Sequence, residues 1–442
     1  MKKKLVILGA AALTAAAAVP ALAFENEFHG MYKFMGYESN IFNGIKTHLK
    51  DEAGSGWHAE QRARLQYIAK ASDDLKLVTH FELDSRFGGR GGDTASNTYT
   101  AKGDAGTLDA DALSLETKNV YLDFNCPITG TNVKVGLQPW ADSYQSLFLL
   151  ADMTGAQATK KFGAVTANLG WFRYDDDSLD AGATGDKAGN KTADLIVADT
   201  KFALNKDVTL GASYYNVQND TGVAASGNYE ILHMIGVNAD IKAGAATLKP
   251  FAAYQFGEKT ETNDIKAWGA GVVGNVKAGT SGKVNFAAVY LSGDDNVTGD
   301  QKGWQNVGDT TTYFNAANMW LIIPSGQAIN SLTSVIGRDL NNNDRGLMGL
   351  FAGYDGTVGK VFYNANIGYA ATAEERSGED GTIGTEINAQ VGYKLFDNMS
   401  VSAAGAYAFL GDGLSGNSTE RFGGADNADD PWMLNTQISY TF

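Results

Sequence analysis

The chain has 442 residues, 53 of them glycine and 6 proline, with 44% hydrophobic, 11% aromatic and 19% charged side chains and a formal net charge of −15. That sign excludes a basic nucleic-acid binder, and the apolar and aromatic content excludes a disordered acidic chain. Beyond the N-terminus no segment approaches the ~18 consecutive apolar residues of a membrane-spanning helix, and the one cysteine, Cys126, leaves neither an internal disulfide nor a haem-attachment pair.

The N-terminus reads as a secretory signal peptide over residues 1–23. Met1-Lys2-Lys3-Lys4 is its basic start, Leu5 to Val19 its apolar core and Ala21-Leu22-Ala23 its cleavage site. Removing 23 of 442 residues leaves 419, a single domain over 24–442, and the loss of three lysines moves the charge from −15 to −18.

From there the chain alternates with period two. A strand is predicted near 28–38, then one near 57–71, where Ala59, Ala63, Leu65, Tyr67 and Ala69 oppose His58, Glu60, Arg62, Arg64, Gln66 and Lys70. Further strands follow near 75–86, 113–125, 131–138, 157–163, 165–174, 193–204, 207–218, 228–241 and 246–257. The rest are predicted near 265–277, 283–293, 346–355, 358–371, 383–395, 399–410 and 432–442. In the last of these Trp432, Leu434, Thr436, Ile438, Tyr440 and Phe442 share one face. The total is about 18, with 16 as the alternative because 139–164 is irregular; an even number keeps both termini on the periplasmic side. Pro250 falls inside a predicted strand and implies a bulge or a shifted register there.

Short turns such as Ser72-Asp73-Asp74, Asn205-Lys206-Asp207 and Phe396-Asp397-Asn398 alternate with long loops at 87–112, 175–191, 294–345 and 411–430. Strands with one apolar and one charged face, joined this way, specify an all-β, transmembrane, antiparallel up-and-down β-barrel. Neither an N-terminal plug nor a domain after Phe442 is expected.

Two passages carry a resemblance. Ile438-Ser439-Tyr440-Thr441-Phe442 resembles the terminal strand of bacterial outer-membrane proteins, with Ile438, Tyr440 and Phe442 as the signal read by the barrel-assembly machinery. Val133 to Trp140, leading into Ala141 to Asp152, resembles the fifth strand and the lumen-folded third loop of Gram-negative diffusion porins. The opening Phe24-Glu25-Asn26-Glu27-Phe28-His29-Gly30 is similar to abundant porins of metal-reducing deltaproteobacteria. One departure is Leu137, where many porins carry an arginine. The resemblance implies a homotrimer in contact with outer-membrane lipid and lipopolysaccharide.

A wide barrel encloses water, so its inward side chains set selectivity. The candidate constriction comprises Arg62 and Arg64 on the second strand, His80 on the third, Lys134 on the fifth, and Asp142 and Asp152 on the infolded loop. Acids facing bases would impose a transverse field; charges in mutual pairs would merely solvate a wide channel. In the loop 294–345, Met319-Trp320-Leu321-Ile322-Ile323-Pro324 is an unusual apolar run that could cap the mouth, enter the lumen or meet a neighbouring subunit. Asp339, Asn341, Asn343 and Asp344 lack the glycine and the glutamate of a calcium loop, and Asp175-Asp176-Asp177 and Asp429-Asp430 read as an acidic mouth.

Enzymatic chemistry finds no motif. The five histidines (His29, His48, His58, His80, His233) are scattered, no nucleophile elbow occurs, and neither a metal nor a cofactor is expected. The expected function is passive diffusion of small hydrophilic solutes and ions with a modest cation preference. The alternative is a sheath around a cytochrome in an electron conduit across the outer membrane.

Overall fold

The computed structural model describes residues 25–43, 46–47, 54–88, 115–176, 187–221, 229–295, 298–307, 314, 318–323, 329, 334–336, 340, 344–375, 380–414 and 429–442. The region read as a signal peptide lies outside these residues, as do Asp177, Pro324, Asp339, Asn341 and Asn343.

Eighteen strands form one sheet. They are β1 (Glu25–Ser39), β2 (Gly56–Ser72), β3 (Leu75–Arg86), β4 (Glu116–Asn125), β5 (Asn132–Ala141) and β6 (Leu150–Phe162). Next come β7 (Val165–Asp176), β8 (Thr192–Ala203), β9 (Val208–Asn219), β10 (Ile231–Ala243), β11 (Ala246–Thr260) and β12 (Asn263–Ala278). The last are β13 (Gly282–Leu291), β14 (Leu347–Val358), β15 (Val361–Ala371), β16 (Thr382–Phe396), β17 (Met399–Leu410) and β18 (Trp432–Thr441). Each strand pairs antiparallel with its chain neighbours, and β1 closes the ring against β18 with Phe34 opposite Ile438 and Met31 opposite Thr441. At this seam Gly30 and Phe442 exchange backbone hydrogen bonds of 2.9 and 3.0 Å. Glycine suits position 30, where a Cβ would lie 2.8 Å from the Arg64 carbonyl oxygen as well as 2.3 Å from the Phe442 ring.

The alternation decides which face meets what. Leu169, Val237, Leu350 and Ile367 point outward and are more than half exposed, an apolar belt with no protein to cover it. Aromatic rims bound the belt, with Trp171, Tyr214, Phe256 and Trp268 toward the long loops and Tyr67, Phe162, Phe202 and Tyr440 toward the short turns. That is the outer surface of a barrel spanning a bilayer.

Two details differ from the sequence reading. Strand β6 begins at Leu150, seven residues before the predicted 157, because Leu147-Phe148-Leu149-Leu150 hides the alternation. Pro250 causes neither a bulge nor a slip. It stays in register opposite Val272 of β12, while the ladder to β10 is interrupted, its pairs stopping at Asn238–Phe251 and resuming at Ile241–Leu248. A missing N–H removes ladder bonds without moving the strand.

Candidate functional site

The inner wall built by β2 and β3 is charged. Register sets Arg62 opposite Asp84 and Arg64 opposite Glu82. Arg62 Nε donates to Asp84 Oδ1 at 2.7 Å and lies 3.3 Å from Glu82, and a second guanidinium nitrogen of Arg62 also binds Asp84. Arg64 Nε donates to Glu82, and Arg86 reaches Glu60 at 3.2 Å. Exposure separates the partners: the Glu82 and Asp84 side chains are 6% exposed, those of Arg62 and Arg64 21% and 29%. Carboxylates therefore back the wall, and guanidinium groups face the lumen.

The other candidates fall as follows. His80 shares this wall and meets Asn119 Oδ1 at 3.3 Å. Lys134 lies nearer the short-turn end, with Nζ 5.7 Å from the Tyr121 ring centroid. Asp152 belongs to β6 and not to the loop, where it accepts from Lys118 Nζ at 2.8 Å and Asn119 Nδ2 at 2.7 Å. Asp142 does sit on the loop, but buried.

The third loop, 142–149, folds into the barrel and is held by Asp142. One carboxylate oxygen accepts the backbone N–H of Tyr144 (2.6 Å) and Ser146 (3.0 Å), the other those of Phe148 (2.7 Å) and Leu149 (2.8 Å). These bonds hold Gln145 and Ser146 at φ of 64° and 61°, a left-handed conformation costly for non-glycine residues. Burial pushes the Asp142 carboxyl up to about 6, against the four donors that pull it down. On the facing wall, Asp199 of β8 accepts from Ser143 Oγ (3.1 Å), Ser213 Oγ (2.5 Å) and the Tyr215 hydroxyl (2.8 Å). Gly236 of β10 makes room for the loop, since a Cβ would lie 2.4 Å from the Tyr144 hydroxyl oxygen.

The buried residues 304–307, 314, 319–323, 329, 334–336 and 340 of the long loop between β13 and β14 also enter the lumen, and the apolar run is among them. Met319, Trp320, Leu321, Ile322 and Ile323 are each at most 1% exposed. They join Tyr144, Leu147, Phe148 and Trp304 in one apolar cluster with inward residues of the wall, among them Leu195, Val217, Leu232 and Phe251. Polar ties hold this loop at three places. Gln255 of β11 binds Gln305 twice. The buried Glu386 of β16 accepts the backbone N–H of Trp320 (2.7 Å), Leu321 (2.9 Å) and Ile322 (2.9 Å). Glu60 of β2 accepts Ile329 N–H at 3.1 Å. In strand order β2 and β11 are nine apart in a ring of 18, so the loop runs from one side of the barrel to the other. Trp304 Nε1 donates to Leu147 O at 3.2 Å and joins the two loops.

Sequence reasoning missed Asp199, Gln255 and the tethering roles of Glu60 and Glu386. Their inward parity was visible; their loop partners, 50 or more residues away, were not.

No protein-family model and no curated protein matches the sequence. Solved structures do. Pseudomonas aeruginosa OpdL is similar with a TM-score of 0.56 at 12% identity, covering 95% of this chain and 99% of that one. Acinetobacter baumannii OccAB4 gives 0.54 at 13% identity over 96% and 100%, and Pseudomonas aeruginosa OccK8 (OprE) 0.54 at 12% over 95% and 98%. The chain shares their fold. Identity this low carries the closed 18-strand barrel and nothing about individual residues.

Proposed function

We propose that this chain is a porin of the Gram-negative outer membrane, a water-filled channel through which small hydrophilic solutes and ions diffuse passively. The observation that carries this reading is the inner wall of β2 and β3, where arginines face a lumen narrowed by two infolded loops. Its outward belt and the likeness to OpdL and OccAB4 support the outer membrane as its place. The −18 of the mature chain, concentrated in long-loop residues such as Asp294, Asp295, Asp429 and Asp430, supports a modest cation preference. Two loops inside the barrel weigh for a channel over a sheath around a cytochrome.

Assembly as a homotrimer, contact with lipopolysaccharide and insertion by the barrel-assembly machinery are part of the proposal. Recording of the purified protein in a planar lipid bilayer tests it. Conductance in steps of three supports an open trimeric pore, and absence of conductance overturns the channel. A haem-containing partner retained in mild detergent would favour the sheath.

A further inference from the structure

Parity places ten lysines on the inner face within three residues of a short turn, from β2, β3, β5, β6, β8, β10, β11, β12, β13 and β16. Each assignment follows from buried or lumen-facing neighbours of the same parity. Lys201 of β8 lies in step with Leu195 and Val197, Lys242 of β10 with Leu232 and Met234, and Lys277 of β12 with Ile265 and Ala267. Among the described residues five acids share that band: Glu25, Glu27, Asp123, Asp240 and Asp355. Four lysines use them, with Lys70 near Glu25 at 3.2 Å, Lys76 near Asp123 at 3.4 Å, Lys249 near Asp240 at 3.8 Å and Lys283 near Asp355 at 3.4 Å. Lys134 lies over the Tyr121 ring. Lys161, Lys201, Lys242, Lys277 and Lys394 are exposed and enter no ion pair among the described residues. Four aspartates and two lysines of the turns themselves, among them Asp73 already bound to Lys70 at 3.0 Å, lie beyond the band and leave its sign unchanged.

Two features mark this as more than scattered solubilising charge. Lys277 stands directly opposite Lys283, and Lys70 opposite Lys76, like-charge cross-strand pairs that cost stability. On β10 to β13, four consecutive strands each contribute a lysine. At the opposite end of the barrel the described loops are acidic, with Asp294, Asp295, Asp300, Glu374, Glu375 and Asp380. The lumen is thus polarised along its axis.

We infer that the inward lysines at the short-turn end form a collar that binds small polyvalent anions, phosphate-bearing or polycarboxylate solutes, at the periplasmic exit of the channel. The side on which it acts rests on the porin reading; anion binding itself does not. Ammonium groups on flexible stems suit anions of varied shape better than a fixed fork would. The lysines outside those ion pairs leave a net positive excess in a confined vestibule, and charge of one sign held there raises local counter-ion concentration by at least roughly 10-fold, within a Debye length of about 8 Å at physiological salt.

The probe is inorganic pyrophosphate, and the variant replaces Lys161, Lys201, Lys242, Lys277 and Lys394 together by glutamine. In a planar bilayer, pyrophosphate should block potassium chloride current at about tenfold lower concentration from the collar side, as charge focusing in a confined mouth implies. That side is identified by streptavidin on biotinylated Cys126, which lies in a short turn. The variant should lose the asymmetry and shift reversal potential further toward cations. Equal block from both sides, or unchanged block in the variant, overturns the collar. Calorimetry on the detergent-solubilised protein at low salt tests it without requiring conduction. Saturable pyrophosphate heat in the wild type that the variant lacks supports the collar, and no heat in the wild type overturns it. A chain that binds pyrophosphate yet conducts nothing would sink the channel reading alone.

Discussion

Gln255 and Gln305 are joined by two hydrogen bonds that together imitate a rung of a sheet. Gln255 Nε2 donates to Gln305 O at 2.7 Å, and Gln305 N donates to Gln255 Oε1 at 2.8 Å. A side chain on the wall thereby fixes the backbone of a loop. Replacing it by leucine leaves a buried N–H and C=O unpaired, at about 1–3 kcal/mol for each group. Gln255→Leu should therefore loosen the long loop and produce larger, noisier single-channel conductance. Conductance and noise equal to the wild type would show that this tie does not hold the loop.

Glu386→Gln keeps the shape of the second tie and removes its charge. The carboxylate accepts three backbone N–H groups; an amide offers one acceptor oxygen and turns an NH2 toward the other donors. With hydrogen bonds to charged groups at about 1.5–3 kcal/mol each, amide exchange at Trp320, Leu321 and Ile322 should accelerate at least tenfold while exchange in the β16–β17 ladder is unchanged. Acceleration spread equally over the barrel would instead indicate global destabilisation.

The third loop carries a pH dependence whose sign follows from Asp142. Its folded value, about 6, lies above the ordinary 3.8 because burial disfavours the charged form. A raised acid means the folded state holds the proton more tightly, so this group's contribution to stability is full below about pH 4 and is lost as pH rises through about 6. Protection of the Tyr144 and Phe148 amides, corrected for intrinsic exchange, should fall across that window. Asp142→Asn, which does not titrate, should abolish the step.

Gly236→Ala tests how closely that loop is packed. The new methyl would meet the Tyr144 hydroxyl at 2.4 Å, so either the loop shifts or the strand strains, at roughly 1–3 kcal/mol for overpacking. A barrel of normal heat resistance with altered conductance is the expected result. Unaltered conductance would show that Tyr144 can yield without widening the passage.

Arg62→Ala combined with Arg64→Ala leaves Glu82 and Asp84 without their cations. Reversal potential under a potassium chloride gradient should move toward the cation limit. If it does not, the current passes away from this wall.

The barrel was legible because period two is a local signal. Ile383, Thr385 and Ile387 announce a strand from their own spacing, and the turns at Asp73-Asp74 and Asp397-Asn398 announce the hairpins. The lumen was less legible, because its inner face was selected against distant partners. Leu195-Ile196-Val197 is apolar on both sides, since Ile196 faces the bilayer while Leu195 and Val197 join the cluster around the infolded loops. Glu386 reads as one more polar residue of an alternating strand until Trp320 is placed against it. Asp142 and Asp152 look alike in sequence, yet one ties a loop from within and the other pairs with Lys118 on a strand.

The seam between Gly30 and Phe442 bears on how the molecule comes into being. Because the last strand hydrogen-bonds to the first, every intermediate that lacks β18 presents two unsatisfied strand edges, each a template for pairing with another chain. Closure removes both edges together, because each is the other's partner. Until it happens, an acidic chain with a broad apolar face has to be kept from its own copies.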